Sequence, residues 1–319
     1  MKIIISDCDH VNLNEETAVF EAAGLSFELK QCHTEDDLIR ECKGGEIFIN
    51  QYAPFTRRVL EALRPEIKQI VRYGVGVNNI DIAAATELGV QVCNVPDYGM
   101  NEVADQALAL TLDLARKVSF MNAGVRKGRW NYEDSIPLFR LSEQTLGVAG
   151  LGRNGRNFAS KARALFGRVI GYDPYYTPNA ADGTDYIEPV NLDTLLRDSD
   201  FVVLHMPLTA QTRNIVNAEA LAKMKPTAYL VNTSRGGLID EAALDKALAD
   251  GDIAGAALDV TEKEPIDFDS PLLRHDNFIC TPHMAWYSEQ AASELKRKVA
   301  EEAVRFARGE ALRSPVNKI

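Results

Sequence analysis

The sequence predicts an α/β protein made of two doubly wound parallel-sheet units. Three observations predict it. Short β-rich runs alternate with helical patterns almost throughout, the alternation breaks once after Val95-Pro96 and resumes, and the second series opens on a glycine-rich strand-to-helix turn. At 319 residues the chain is long for one hydrophobic core and comfortable for two.

In chain order, strands are expected at residues 3–6, 46–50, 69–72 and 90–93, with helical patterns at 55–63 and 80–88, the second stopped by Gly89. Residues 101–117 read as one long helix with acids early and cations late, as the helix dipole prefers. A loop-rich stretch follows at 130–141. The second series places strands at 146–149, 168–172, 201–205, 228–231 and 253–258. The tail 288–308 is helical, with Ala291, Leu295, Val299, Ala303 and Phe306 on one stripe. Periodicity alone does not say on which unit that helix packs.

Composition narrows the function classes. Hydrophobic residues make up 46% and charged residues 25%, ordinary for a globular protein. A formal charge of −11 argues against a nucleic-acid surface, and the run Lys296, Arg297, Lys298 reads as a solvated helix face. No apolar run is long enough for a bilayer, so no membrane partner is expected. The opening MKIIISDCDH runs from apolar residues straight into acids and reads as a first strand, not a signal peptide. The 5 cysteines are odd in number and scattered, giving neither a disulfide framework nor metal-ligand spacing. A reducing, cytoplasmic compartment and no metal are the expectation.

The turn at Gly150, Leu151, Gly152, Arg153, Asn154 and Gly155 carries the first chemistry. An apolar strand breaks there into G-x-G-x-x-G and then into a helical run at 157–165. Gly150 permits a tight turn, Gly152 lets backbone approach a pyrophosphate, and Gly155 lets helix and strand pack closely. The helix N-terminus presents N–H groups and partial positive charge to phosphates. The next strand ends in Asp173, placed to accept from the adenine ribose hydroxyls and to repel a 2′-phosphate. The cofactor expected is NAD(H). A second glycine loop, Gly74-Val75-Gly76, also follows a strand, but Asn79 stands where a third glycine belongs. It fails as a dinucleotide turn and remains credible as a loop whose N–H groups could hold a carboxylate.

Three more strand ends carry polar residues: Asn232 to Gly237, Asp259 to Glu264, and Cys280 to Trp286. Doubly wound folds place ligands at such ends. Reducing a 2-oxo acid needs a cation for the carboxylate and carbonyl, a proton donor for the nascent alkoxide, and a hydride source. The planar fork of Arg235 suits the first role, and His283 the second. A neighbouring carboxylate would orient the imidazole and favour its protonated form. Singly, each residue is more often structural, and His10, His33 and His275 read as ordinary loop histidines. His205 closes a strand and lines a cofactor cleft at most. All three chemistries downstream of a dinucleotide turn favour the functional reading.

These residues make the chain recognisable. VRYGVGVNNID, GLGRNG, LHMPLT, VNTSRGGLIDE, GAALDV followed by EKEP, and CTPH resemble the D-isomer-specific 2-hydroxyacid dehydrogenase family along essentially the whole length. CTPHMAWYSEQAA resembles most its C-terminal-binding-protein branch, whose animal members are NAD(H)-sensing transcriptional corepressors. The resemblance implies Arg235 as the substrate-binding arginine, His283 as proton donor and Glu264, rather than Glu262, as its partner. It implies Val75 and Gly76 as the backbone holding the substrate carboxylate. Val103, Met206, Pro207, Thr212, Thr233, Ser234 and Asp259 match cofactor-lining positions, with Arg235 and His283 bordering the same site. Trp286 matches an aromatic beside the substrate, which disfavours phosphoglycerate.

The resemblance also implies architecture: a Rossmann NAD domain, 99–286, inserted into a flavodoxin-like substrate domain, 1–98 plus 287–319. The active site would then lie in the cleft, with hinges near Tyr98 and Trp286. Homodimers through the region 101–130 are the family expectation. Against the animal corepressors, the stretch 130–144 reads as shortened and extended tails as missing, which weakens a transcription-factor-binding role. Glu264 argues against a formate-oxidising member, which would carry Gln. The expected function is hydride transfer between NAD(H) and a small 2-oxo or 2-hydroxy acid, the D-isomer by family. The alternative is an NAD(H)-sensing binding protein with incidental turnover.

Overall fold

Ile3, Ile4 and Ile5 begin the chain as a strand with no exposed face, the pattern of a central strand in a parallel sheet. The computed structural model describes residues 1–319. It divides into two units, Met1–Gly99 with Ser288–Ile319, and Met100–Tyr287.

The first unit holds β1 (Ile3–Ile5), β2 (Phe27–Leu29), β3 (Ile47–Asn50), β4 (Gln69–Arg72) and β5 (Gln91–Cys93), all parallel in the order β2-β1-β3-β4-β5. The order reverses between β1 and β3, the switch point of this sheet. Only β2 lacks a sequence signal. It is a three-residue edge strand with Glu28 and Leu29 exposed, too short to show alternation. The helix Glu289–Ala307, capped by the Ser288 hydroxyl on Ala291 N, packs on the helix Asn14–Ala22 and on β3 and β4. Tertiary packing thus answers what periodicity left open. It also corrects the solvated-face reading of Lys296: its side chain is 7% exposed, paired with Glu15 and donating to Asn12 Oδ1 at 2.8 Å.

The second unit has seven parallel strands: β6 (Thr145–Ala149), β7 (Arg168–Tyr172), β8 (Glu188–Pro189), β9 (Phe201–Leu204), β10 (Tyr229–Asn232), β11 (Gly255–Leu258) and β12 (Phe278–Cys280). Their order, β12-β11-β10-β9-β6-β7-β8, reverses between β6 and β9, the Rossmann switch point. The two-residue edge strand β8 contains a proline and carries no strand pattern to read. The helix after β6 spans Arg153–Ala162, beginning earlier than its apolar period at 157–165, because polar Arg153 and Asn154 and then Gly155 form its first turn. The long helix is Met100–Arg116. Lys117 then turns left-handed, at φ 52°, and a further helix runs Val118–Arg126. No helix is long and apolar enough to cross a membrane.

Candidate active site

The glycine turn after β6 is shaped by what its residues lack. A Cβ on Gly150 would lie 2.7 Å from His205 C and Met206 N, and one on Gly155 only 1.9 Å from Gly150 O. Strand β9 and the helix Arg153–Ala162 therefore close on the turn only because both positions are glycine. A Cβ on Gly152 would meet nothing within 4 Å, so the space above the helix N-terminus is open, as a pyrophosphate requires. Asp173, at the end of β7, accepts from Leu151 N at 2.7 Å and from Tyr175 N at 2.8 Å, tying the turn to the next strand. Thr233 Oγ1 is buried without a hydrogen-bond partner, as a cofactor-lining hydroxyl would be before its ligand binds. These features fit a dinucleotide along the turn.

His205 lies beneath it. Burial pushes its imidazole down to about 3, both ring nitrogens lack partners, and the ring sits 5.0 Å from Phe158. It is a neutral packing group of the turn's floor, not a proton carrier. Met206 is buried at the same strand end, and Thr212 Oγ1 donates to Pro207 O at 2.7 Å, closing the loop after β9. Val103 is half-buried on the helix Met100–Arg116.

The strand ends of β10, β11 and β12 assemble the polar group. Ser234 Oγ donates to Leu204 O at 2.8 Å, fixing the β10 end to β9 and aiming the chain into Arg235. A Cβ on Gly236 would lie 1.9 Å from Thr261 C, so the segment after Arg235 lies flat against the loop that carries Glu264. Glu241 Oε1 accepts from Glu262 N at 2.5 Å and fastens that loop from the other side. His283 Nδ1 meets Glu264 Oε2 at 2.6 Å, with both side chains 38% exposed. Burial pushes the Glu264 carboxyl up, but the hydrogen bond and charge of His283, with Arg235 adding charge, outweigh it and hold it below its usual value. Glu264 thus stays ionised, and with Nδ1 engaged, Nε2 of His283 is the nitrogen left to exchange a proton.

Asp259 does more than line a site. Its buried carboxylate accepts from Thr281 Oγ1 at 2.5 Å, Met284 N at 3.1 Å and Ala285 N at 2.8 Å, while its carbonyl accepts from His283 N at 2.8 Å. Four contacts hold His283 in its left-handed conformation, φ 51°, which turns the ring toward Glu264. Sequence reasoning gave no role to Glu241 and Thr281, although VNTSRGGLIDE and CTPH contain them, because their partners Glu262 and Asp259 lie far off in sequence. The Gly-Gly pair after Arg235 was the available signal for the close approach at Gly236. Trp286 is half-buried, its ring edge-on to Tyr287 at 5.5 Å. Val75 and Gly76 belong to the first unit, on the loop after β4, with Val75 45% exposed and its carbonyl accepting from Asn94 Nδ2 at 2.7 Å.

A Rossmann sheet with an open glycine turn, and an Arg–Glu–His group on neighbouring strand ends, defines a dinucleotide-binding domain of the dehydrogenase type. Residues 108–285 match the family model described as D-isomer specific 2-hydroxyacid dehydrogenase, NAD binding domain. The chain is 39% identical to a D-3-phosphoglycerate dehydrogenase of Methanocaldococcus jannaschii, over 99% of this chain and 59% of that protein. It is 40% identical to a glyoxylate reductase of Korarchaeum cryptofilum, over 83% of this chain and 80% of the other. A D-lactate dehydrogenase structure from Escherichia coli superposes with a TM-score of 0.84 at 29% identity, covering 99% and 100% of the two chains. The chain belongs to the D-isomer-specific 2-hydroxyacid dehydrogenase family. It spans 59% of the length of the first phosphoglycerate dehydrogenase it matches.

Proposed function

We propose that this chain interconverts a small 2-oxo acid and its D-2-hydroxy acid with NAD(H). The contact of His283 with Glu264 at 2.6 Å, beside Arg235, carries the reading. A bound nicotinamide supplies or accepts the hydride. Arg235 binds and polarises the substrate, as its fixed fork suits a carboxylate or carbonyl oxygen. His283 gives its Nε2 proton to the forming alkoxide and takes it back in oxidation, while Glu264 stabilises the imidazolium. Val75 and Gly76 are assigned to the substrate carboxylate and Trp286 to an apolar substrate wall. Asp173 is assigned to the adenine ribose, which favours NAD over NADP by repelling a 2′-phosphate. Gly150 to Gly155, Val103, Met206, Pro207, Thr212, Thr233, Ser234 and Asp259 complete the assigned cofactor surroundings.

We assign the partner of this chain to a second copy. Val118, Val125, Trp130, Tyr132, Ile136 and Phe139 are 45–90% exposed within one segment of the second unit, and so much apolar surface favours burial against a like chain. The assignment to the C-terminal-binding-protein-like branch rests on Trp286 and its flanking CTPHMAWYSEQAA. A substrate panel tests the whole reading: glyoxylate, hydroxypyruvate, its 3-phosphate and longer 2-oxo acids, each with NADH and NADPH. Turnover with NADH on at least one is expected, and His283→Gln should reduce it about 10²–10⁴-fold with NADH affinity intact. Near-normal turnover in that variant would sink the assignment. No turnover at all, together with NADH-dependent self-association, would favour the sensor.

A further inference from the structure

The loop 74–78 is exposed at Val75, yet the residues on either side of it are tied to one buried group. Asn50, at the carboxyl end of β3 and fully buried, holds both ends: its backbone carbonyl accepts from Tyr73 N at 2.8 Å, and its side-chain Oδ1 accepts from Asn79 Nδ2 at 2.7 Å. The Asn79 amide also donates to Ala53 O at 3.1 Å. Asn50 is fixed in turn, since its Nδ2 donates to Asp7 Oδ1 at 2.9 Å and Ala53 O at 3.0 Å. The Asp7 carboxylate, 3% exposed, further accepts from Ser6 Oγ and from the backbone N–H groups of Gln51, Tyr52 and Ala53. On the entry side, the buried Tyr73 donates its hydroxyl to Glu16 Oε1 at 2.8 Å, and His10 stands edge-on to its ring at 5.0 Å.

Burying two carboxyl groups and a primary amide is costly, and an apolar core of the same shape would avoid that cost. Such networks do supply directional constraint, because hydrogen bonds fix both distance and angle and the group cannot slide as packed methyls can. Here the constraints converge on the two residues flanking a single loop. We propose that Asn50 and Asn79, backed by Asp7 and with Tyr73–Glu16 at the entry, are positioning residues that preorganise the 74–78 backbone for the substrate carboxylate. The inference rests on the assignment of Val75 and Gly76 to that carboxylate. It also gives Asn79 a role: at the place where a dinucleotide turn needs glycine, this loop needs an amide.

Asn79→Ala and Tyr73→Phe test it in the intact protein, by steady-state kinetics with the best 2-oxo acid of the panel, NADH titration, and hydrogen exchange of the peptide covering 74–78. Removing the Asn79 amide leaves Asn50 Oδ1 without that donor, so KM for the 2-oxo acid should rise about tenfold. With kcat and the NADH Kd held within about twofold, that split marks lost ground-state positioning and not general damage. Exchange should quicken in 74–78 and stay unchanged in the second unit. Tyr73→Phe, which keeps the ring and removes one hydroxyl, should act in the same direction less strongly, and it decides the matter if Asn79→Ala does not fold. Asn79→Gln, which keeps an amide donor, should recover part of the lost KM. Unchanged KM and exchange in both variants overturn the proposal, as does a parallel fall of kcat with no KM change. If the unsubstituted protein turns over no 2-oxo acid, the functional reading fails, and the exchange data alone uphold or overturn the positioning of the loop.

Discussion

Two glycine loops of this chain begin alike and end differently. Each leaves the carboxyl end of a parallel strand, β4 or β6, and each opens G-x-G. After β6 the third glycine, Gly155, brings a helix so close that a methyl group would strike Gly150 O, and the first turn of that helix faces open space. After β4 the equivalent place holds Asn79, whose amide reaches back into a buried polar group and no helix begins until Ile82. The first loop offers a helix terminus to phosphate. The second offers backbone held by side chains.

The largest test of that comparison is Gly155→Ala. Its Cβ would lie 1.9 Å from Gly150 O, backbone with no rotamer to yield, so we expect a loss of about 3 kcal/mol in stability and no measurable NADH binding, read by urea unfolding and fluorescence titration. An alanine tolerated there with NADH affinity intact would refute the close-packing account. Gly74→Ala comes next. At φ +124° an L-residue is strained, and we expect about 2 kcal/mol of destabilisation with NADH affinity unchanged. Gly152→Ala should leave stability within about 0.5 kcal/mol, since its Cβ meets no protein atom. Its NADH affinity should nevertheless fall about tenfold, through contact with the ligand alone. Equal affinity would place the pyrophosphate elsewhere.

The smallest effect concerns pH. Burial raises the Glu16 carboxyl, with Glu15 adding to it and Tyr73 and Lys296 opposing. Because the folded value is raised, the group contributes stability that is fully present below its unfolded value of about 4.3 and is lost as pH rises through the folded value. Glu16→Gln keeps an acceptor for Tyr73 and removes that titration. Its Tm should vary less with pH than that of the unsubstituted protein between the ordinary carboxylate range and neutrality. An unchanged Tm profile would show that Glu16 is ionised at no cost where it lies.

Much of the fold was legible because it rests on local pattern. Buried parallel strands announce themselves as runs such as Ile3 to Ile5 and Phe201 to Leu204, and glycine at a strand-to-helix turn has few other uses. The strands given no range from the sequence, β2, β8 and β12, are short edge strands whose residues need no apolar alternation. The helix Val118–Arg126 escaped because only a left-handed Lys117 divides it from its predecessor.

By itself, then, the sequence displayed the two α/β series and the glycine turn with Asp173 after the next strand, since these depend on residue type and near-neighbour spacing, while Arg235, Glu264 and His283 came forward as candidates through the family resemblance. Only the tertiary structure decided that the helix Glu289–Ala307 covers the first sheet, that Lys296 is buried beside Glu15, and that Glu264 meets His283. It alone showed Asp259 holding the His283 loop and Asn50 holding the other glycine loop. Those partners lie far apart in sequence, and hydrogen bonds between distant residues leave no period for a sequence to display.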